Sequence, residues 1–486
     1  MQPPTTQPAS GSRLTVAFAA IVLAMLPAVL DQTILATALP TIAGDLGRLT
    51  DVSWVVTAYV IAAAAATPLW GKLGDRHGRK RLLEIALALF LVASAACGLA
   101  GDITTLIAAR AVQGVAAGGL MSLAMAAIGD LVSPRERARY QGYVMAAFAL
   151  ATVAGPLLGG LLVEQVSWRW VFYVNLPLGL VALAGLRLRL PAVAGHGADR
   201  PLDRSGAGLL ALATGALMLA CVWGGDRYAW DSPVIVALLA GAMAFGIGFV
   251  VRERRATDPV VPLALLRTPT VAIVSAGLFL TTAALFAITV FIPLFLQVAT
   301  GATPTQAGLL LVPMMLAVTV STNVAGRAIA RSGRYKAYPV AGLAVMSGAL
   351  VALALLVEHP SRTTTALALA AFGLGFGVVG QVLTVAVQNE VDRRQLGVAM
   401  ATTTFFRGLG GAIGAAVLGA VFAAHAGGTA ADVASVGVTG RSGLVDAVQI
   451  VLLVAAAVAA LGLIVVAFLR ERTLADQPTG SAPSAA

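Results

Sequence analysis

GKLGDRHGRKR, residues 71–81, decides the architecture because its glycines and arginines come round again. Gly71, Arg76, Gly78 and Arg79 recur as Gly326, Arg331, Gly333 and Arg334, each 255 residues later. The same offset carries Arg139 onto Arg394, Gly142 onto Gly397, Gly155 onto Gly410 and Gly159 onto Gly414. Eight positions at one offset, spread over several apolar segments, read as an internal duplication. Each copy of the motif stands between two long apolar stretches, so the repeating unit is a set of membrane-spanning helices.

Composition agrees with that reading. Of 486 residues 59% are apolar and 11% charged, whereas soluble domains carry about a quarter charged residues. Mean hydropathy is +0.90; lipid replaces the solvent that so little charge could not face. Windows of about twenty residues place spans near 14–40, 52–70, 82–100, 103–128, 141–163, 170–186, 207–224, 233–251, 270–297, 305–325, 337–357, 364–387, 396–423 and 445–469. That makes fourteen helices: an N-terminal bundle of six over 14–190, a loop and inserted helices seven and eight over 191–255, and a C-terminal bundle of six over 256–470. The polar, Pro-rich ends, 1–13 and 471–486, are too poor in apolar residues to pack and read as disordered tails.

The net charge of +10 is explained by its placement. With the N-terminus cytoplasmic, 25 of the 32 basic residues fall in cytoplasmic segments and five outside (Arg48, Arg169, Arg227, Arg362, Arg441), while Arg110 and Arg407 lie within helices. Lys and Arg beside a helix resist translocation, so both termini are expected inside, and no nucleic-acid partner is needed to account for the charge. Cys97 and Cys221 fall within spans without ligand-like spacing, so neither a disulfide nor a metal site is read. No nucleotide-binding motif, paired catalytic carboxylates or sizeable soluble domain appears; neither an ATP-driven pump nor a membrane enzyme is expected.

Residues 71–81 resemble the loop signature of the major facilitator superfamily. Around them, LDQTILATALP at 30–40, LIAARAVQG at 106–114, AGPLLGG at 154–160, SWRWVFYVNLPLG at 167–179 and FFRGLGGAIG at 405–414 look like the fourteen-helix drug:proton antiporter family. The resemblance implies an all-α major facilitator fold of two pseudo-symmetric bundles. It also implies a multi-pass protein of the bacterial inner membrane, working as a monomer without a cofactor. The energy source would be the proton gradient, and the cargo small hydrophobic or amphipathic molecules. A dedicated exporter of one self-made metabolite and a non-transporting sensor are the alternatives.

Asp31 is the one carboxylate placed well inside a span. A charged group there is costly and faces a cavity or a partner, and removal from water disfavours its charged form, a property a proton carrier needs. The strict offset makes Phe286 its counterpart in the second half. The resemblance links Arg110 to proton transfer; because a guanidinium does not release its proton, its part would be to bias Asp31. A purely structural Asp31–Arg110 ion pair is the competing account. The resemblance assigns gating to Gly71, Asp75, Arg76, Gly78 and Arg79, and a seal against leak to Gly155, Pro156, Gly159 and Gly160. Small-residue helix packing would explain those glycines equally well. Trp54, Tyr59, Gln113, Phe286, Phe291, Asn323, Gln381, Phe405 and Arg407 are candidate cavity residues on helices that line the cavity in this fold. Relatives that export multivalent cations tend to carry further acids in helices ten or thirteen. None is present here, which favours neutral, zwitterionic or monocationic cargo.

Overall fold

The computed structural model describes residues 11–46, 49–191, 203–225, 227–300, 306, 309–358, 361–426 and 441–471. The expected terminal tails fall outside these residues, except that helix begins at Gly11 and that Glu471 is placed, its carboxylate accepting from the Tyr335 N–H at 3.1 Å. Among the described residues, fourteen helices are long and apolar enough to cross a membrane. In chain order they are α1 Gly11–Leu46, α2 Leu49–His77, α3 Arg79–Gly98, α4 Ile103–Leu131, α5 Pro134–Gln165, α6 Trp170–Arg189, α7 Arg204–Trp223 and α8 Pro233–Glu253. Then follow α9, made of Pro269–Phe286, a π-helical turn Ala287–Phe291 and Ile292–Thr300, and α10 Val312–Ser332, α11 Ala337–Leu356, α12 Arg362–Glu390, α13 Leu396–Ala426 and α14 Arg441–Ala467. In hydrocarbon every backbone N–H and C=O needs a partner within the chain, which is why uninterrupted apolar stretches become helices rather than strands.

The tenth span is described as a helix from Val312, with Pro313 in its first turn, where a missing N–H costs nothing; its expected start at 305 lies outside the described residues. One difference from the sequence reading matters: the signature at 71–81 is not a loop. Helix α2 runs through it to His77 and α3 begins at Arg79, so the chain reverses at a single residue, Gly78, with φ 90° and ψ 130°. Its repeat counterpart Gly333 ends α10 at φ 68°. Both conformations are strained for any residue with a Cβ, which gives this part of the repeat its physical reason.

Packing repeats with the sequence. In the first bundle α1 lies against α5 and α6, and α4 against α2 and α3; in the second, α9 lies against α13 and α14, and α12 against α10 and α11. The two halves meet through α2 with α13 and through α5 with α10, a pairing that a pseudo-twofold axis requires. The inserted hairpin α7–α8 rests on α2 and α13 and so covers one of these two seams. Trp54 and Trp223 stack edge-to-face at 5.4 Å there, while Leu210, Phe249, Val260 and Val261 form a small core with Phe405 against it. The outward surface of α8, with Val236, Met243 and Ile247 exposed, is the apolar face that lipid would cover.

Candidate functional site

Asp31 is completely buried in the first bundle. Arg110 donates to its Oδ2 at 2.5 Å, Gln113 Nε2 to its Oδ1 at 3.0 Å and Asn175 Nδ2 to the same oxygen at 3.5 Å. Arg110 also donates to Gln113 Oε1 at 2.6 Å and, through Nε, to the Val55 carbonyl at 3.0 Å; its guanidinium lies 4.2 Å over the ring of Tyr59. Ser94 closes the network, accepting from Gln113 and Asn175 and donating to the Phe172 carbonyl at 3.0 Å. Four helices thus meet at one carboxylate: α1 supplies the acid, α4 the arginine and glutamine, α3 the serine and α6 the asparagine. A charge removed from water persists only when paired and hydrogen-bonded, and here both carboxylate oxygens are satisfied. Asn175 Oδ1 is buried with no hydrogen-bond partner.

Sequence reasoning found Asp31 and Arg110 and assigned Tyr59 and Gln113 to an open cavity. The structure instead puts both inside this network, 1% and 0% exposed. Ser94 and Asn175 were missed as network members. Asn175 lies in the quoted stretch 167–179, but only the fold shows that this end of α6 touches α1.

A second constellation lies at the end of the molecule that carries Gly78. Asp75 accepts from the backbone N–H groups of Gly397 and Val398, both at 2.8 Å, and from Arg79 Nη2 at 2.8 Å. Those two amides are the free donors of the first turn of α13, so the carboxylate also meets the positive end of that helix. Arg79 reaches on to Asp130, and Lys72 and Arg76 are ion-paired with Asp258 in the segment joining α8 to α9. Nearby, Arg137 donates to the carbonyls of Gln388 and Gly129, Gln381 to that of Ala138, and Gln388 to that of Met125. The hydrogen bonds that join the two bundles gather at this end. Gln381 and Asn323, expected in the cavity, belong to this closing layer, the latter donating to the Gly142 carbonyl at 3.5 Å.

The glycines of 154–160 act in packing. A Cβ on Gly155 would sit 2.0 Å from Thr33 Oγ1, and one on Gly159 2.2 Å from Thr37 Oγ1, so α5 presses directly on α1; Gly160 faces open space. Pro156 lies in α5, and its side chain is outside the described residues. In the second bundle Gly410 and Gly414 press on Phe279 and Ala283, nine residues earlier in α9 than the strict offset places the counterparts of Thr33 and Thr37. Measured from these glycines, the counterpart of Asp31 is Gly277 rather than Phe286. Gly277 faces Leu383 of α12 and Val466 of α14, as Asp31 faces α4 and α6.

The remaining cavity candidates separate. Trp54 and Phe405 contact the inserted hairpin, Phe291 is buried against Phe422 at 5.0 Å, and Phe286 is half-buried beside Phe291. Arg407 is exposed.

The family model described as Major Facilitator Superfamily matches residues 21–415 and again 274–485. An uncharacterized MFS-type transporter of Mycobacterium tuberculosis is 39% identical over 415 residues, which are 84% of this chain and 60% of that protein, so the chain spans well under two thirds of that relative. The multidrug transporter protein MdtP of Bacillus subtilis is 35% identical over 423 residues, 87% of this chain and 77% of its own length. Among solved structures, that of the human organic anion transporter MFSD10 superposes with a TM-score of 0.66 at 17% identity, covering 96% of this chain and 100% of that one.

Proposed function

The chain belongs to the Major Facilitator Superfamily of transporters, and we propose that it exports small hydrophobic or amphipathic compounds in exchange for protons. The observation that carries this reading is the buried Asp31–Arg110 pair with its full complement of hydrogen bonds, a charge that a membrane helix keeps only for a purpose. Protonation of Asp31 would remove one charge of the pair and free Arg110 and Gln113, loosening α1 from α4 and α6. Arg110 biases Asp31 and carries no proton itself.

In this reading the Asp75 constellation faces the cytoplasm together with both termini, and the protein sits in the bacterial inner membrane as a monomer. The contacts that close that end are those expected of a state open to the outside. Gly71, Asp75, Arg76, Gly78 and Arg79 form the gate, and Gly155 and Gly159 keep α1 and α5 sealed together. The chain divides near residues 190 and 256 into two bundles that rock about the cavity, with the inserted hairpin riding on one seam.

The test is reconstitution into vesicles carrying a proton gradient, with proton movement reported by a dye as candidate drugs are added. Wild type should show drug-dependent flux that Asp31→Asn abolishes; flux retained in the mutant would remove Asp31 as the carrier. Flux with many drugs supports multidrug export, whereas flux with a single compound would mark a dedicated exporter.

A further inference from the structure

Arg407 is an arginine in the middle of a spanning helix without an acid to hold it. It lies eleven residues, roughly 16 Å, along α13 from Leu396. Among the described residues it has neither a hydrogen-bond nor an ion-pair partner. A charged side chain at such depth is tolerated only against a partner or a water-filled space. Its surroundings identify the second case.

Successive residues of an α-helix are about 100° apart, so the neighbours of Arg407 fix its direction. Phe405, on nearly the opposite side, packs on the core of the inserted hairpin. Gly410 and Gly414 face α9, while Gly397 and Ala401 face α2 of the other bundle. Arg407 lies between those two directions, in the cleft between the halves. A Cβ on the adjacent Gly408 would meet nothing within 4 Å. Arg407 is itself exposed, and the helical direction just derived turns that exposed guanidinium toward the cleft rather than toward lipid. Thr282 of α9 turns its methyl toward Gly411 on the same side, its hydroxyl being bonded to the Leu278 carbonyl at 2.9 Å.

The charge balance of this space is one-sided. Asp31, the acid at intramembrane depth, is 0% exposed and bonded to Arg110, so it does not compensate Arg407. Asp75 and Asp130 are engaged with Arg79 in the closing layer. The accessible cavity therefore carries a positive field that concentrates anions and repels cations. A guanidinium also offers a planar pair of donors that matches a carboxylate or sulfonate in bidentate fashion.

We infer that Arg407 is the anion-recognition point of the transport cavity and that the cargo is amphipathic with an anionic group. This rests on the reading of the chain as an exporter and changes its cargo class, since the sequence had favoured neutral, zwitterionic or monocationic compounds.

Fluorescein and rhodamine 123 share a xanthene ring and differ in charge, which makes them suitable probes. Binding of each to the full-length protein in phosphatidylcholine nanodiscs, read by fluorescence polarisation, should favour fluorescein at least tenfold. R407Q should weaken fluorescein binding at least tenfold while leaving rhodamine 123 unchanged or tighter, and R407K should keep part of the preference. Retained rhodamine 123 binding shows that R407Q is folded. Equal or better rhodamine 123 binding by wild type, or fluorescein binding indifferent to R407Q, would overturn the proposal. Displacement of fluorescein by added phosphatidylglycerol would assign the arginine to lipid and overturn it as well. Transport in proteoliposomes separates this from the export reading. Proton-driven movement of rhodamine 123 without a fluorescein preference would leave export standing and remove the anion site. Fluorescein bound through Arg407 but never moved would do the reverse.

Discussion

Lys72, near the end of α2, is ion-paired with Asp258, which lies 186 residues further along in the segment between α8 and α9. Arg76, one helical turn on, approaches the other carboxylate oxygen at 3.6 Å. The approach to the second bundle is thus tied to the end of α2, the proposed gate, by one acid held between two bases. Replacing Asp258 with Asn should weaken closure at this end and lower transport several-fold. Distances between spin labels on α2 and α13 would report the opening, and a distribution unchanged from wild type would remove the tie from the gating scheme.

Asp75 holds two amides at the start of α13. Hydrogen bonds to a charged group contribute about 1.5–3 kcal/mol each, so Asp75→Ala should shift the closed-to-open ratio by roughly thirtyfold if about 2 kcal/mol is lost. Asp75→Asn keeps one acceptor and should fall between. Solvent labelling of a cysteine placed beside Gly397, in a background lacking Cys97 and Cys221, would rank the three.

The Asp31–Arg110 pair makes a different prediction for single and double changes. Removing one partner of a buried ion pair costs about 3–5 kcal/mol, because the other charge is left uncompensated. Asp31→Asn and Arg110→Gln should each lower the unfolding temperature in detergent, and the double variant should recover much of the loss. Transport should be lost in all three, which separates the role in coupling from the role in stability.

The glycines of α5 should divide by what they touch. Gly155→Ala and Gly159→Ala place a methyl into Thr33 or Thr37 and should destabilise the protein and raise passive proton leak; Gly160→Ala meets nothing within 4 Å and should behave as wild type. Dye-reported leak across vesicles without substrate is the measurement.

Asp45, beyond the apolar part of α1, accepts from the Trp168 indole at 2.8 Å and from Arg169 at 3.2 Å. The indole first, and then the guanidinium, hold its carboxyl below the ordinary value of 3.8. A lowered folded value means that the contribution is complete above the ordinary value and lost as pH falls through the folded one. Wild type should therefore be more stable than Asp45→Asn at neutral pH, with the gap narrowing below about pH 4. Melting temperatures of the pair across that range would show it.

The repeat, the number of helices and the intramembrane position of Asp31 and Arg110 were legible in residues alone, since an acid in an apolar stretch and glycines at a constant offset need no partner to be seen. Gln113, Tyr59, Ser94 and Asn175 were not legible as one network. Each is an ordinary residue on its own helix, and only the packing of α1, α3, α4 and α6 joins them. The offset misled once: α9 sits against α13 in a register nine residues away from the one the offset implies, and no local signal records how one helix slides along another.

Lipid requires helices to satisfy their own backbone, so hydropathy and length were enough to establish a duplicated fourteen-helix membrane protein. Which charges are paired was a different matter. Asp31 with Arg110, Asp75 with α13 and Asp258 with Lys72 are contacts between elements 79, 322 and 186 residues apart. Among the described residues those acids are taken by other partners and Arg407 has none. That allocation depends on distances in space, and tertiary packing alone sets them.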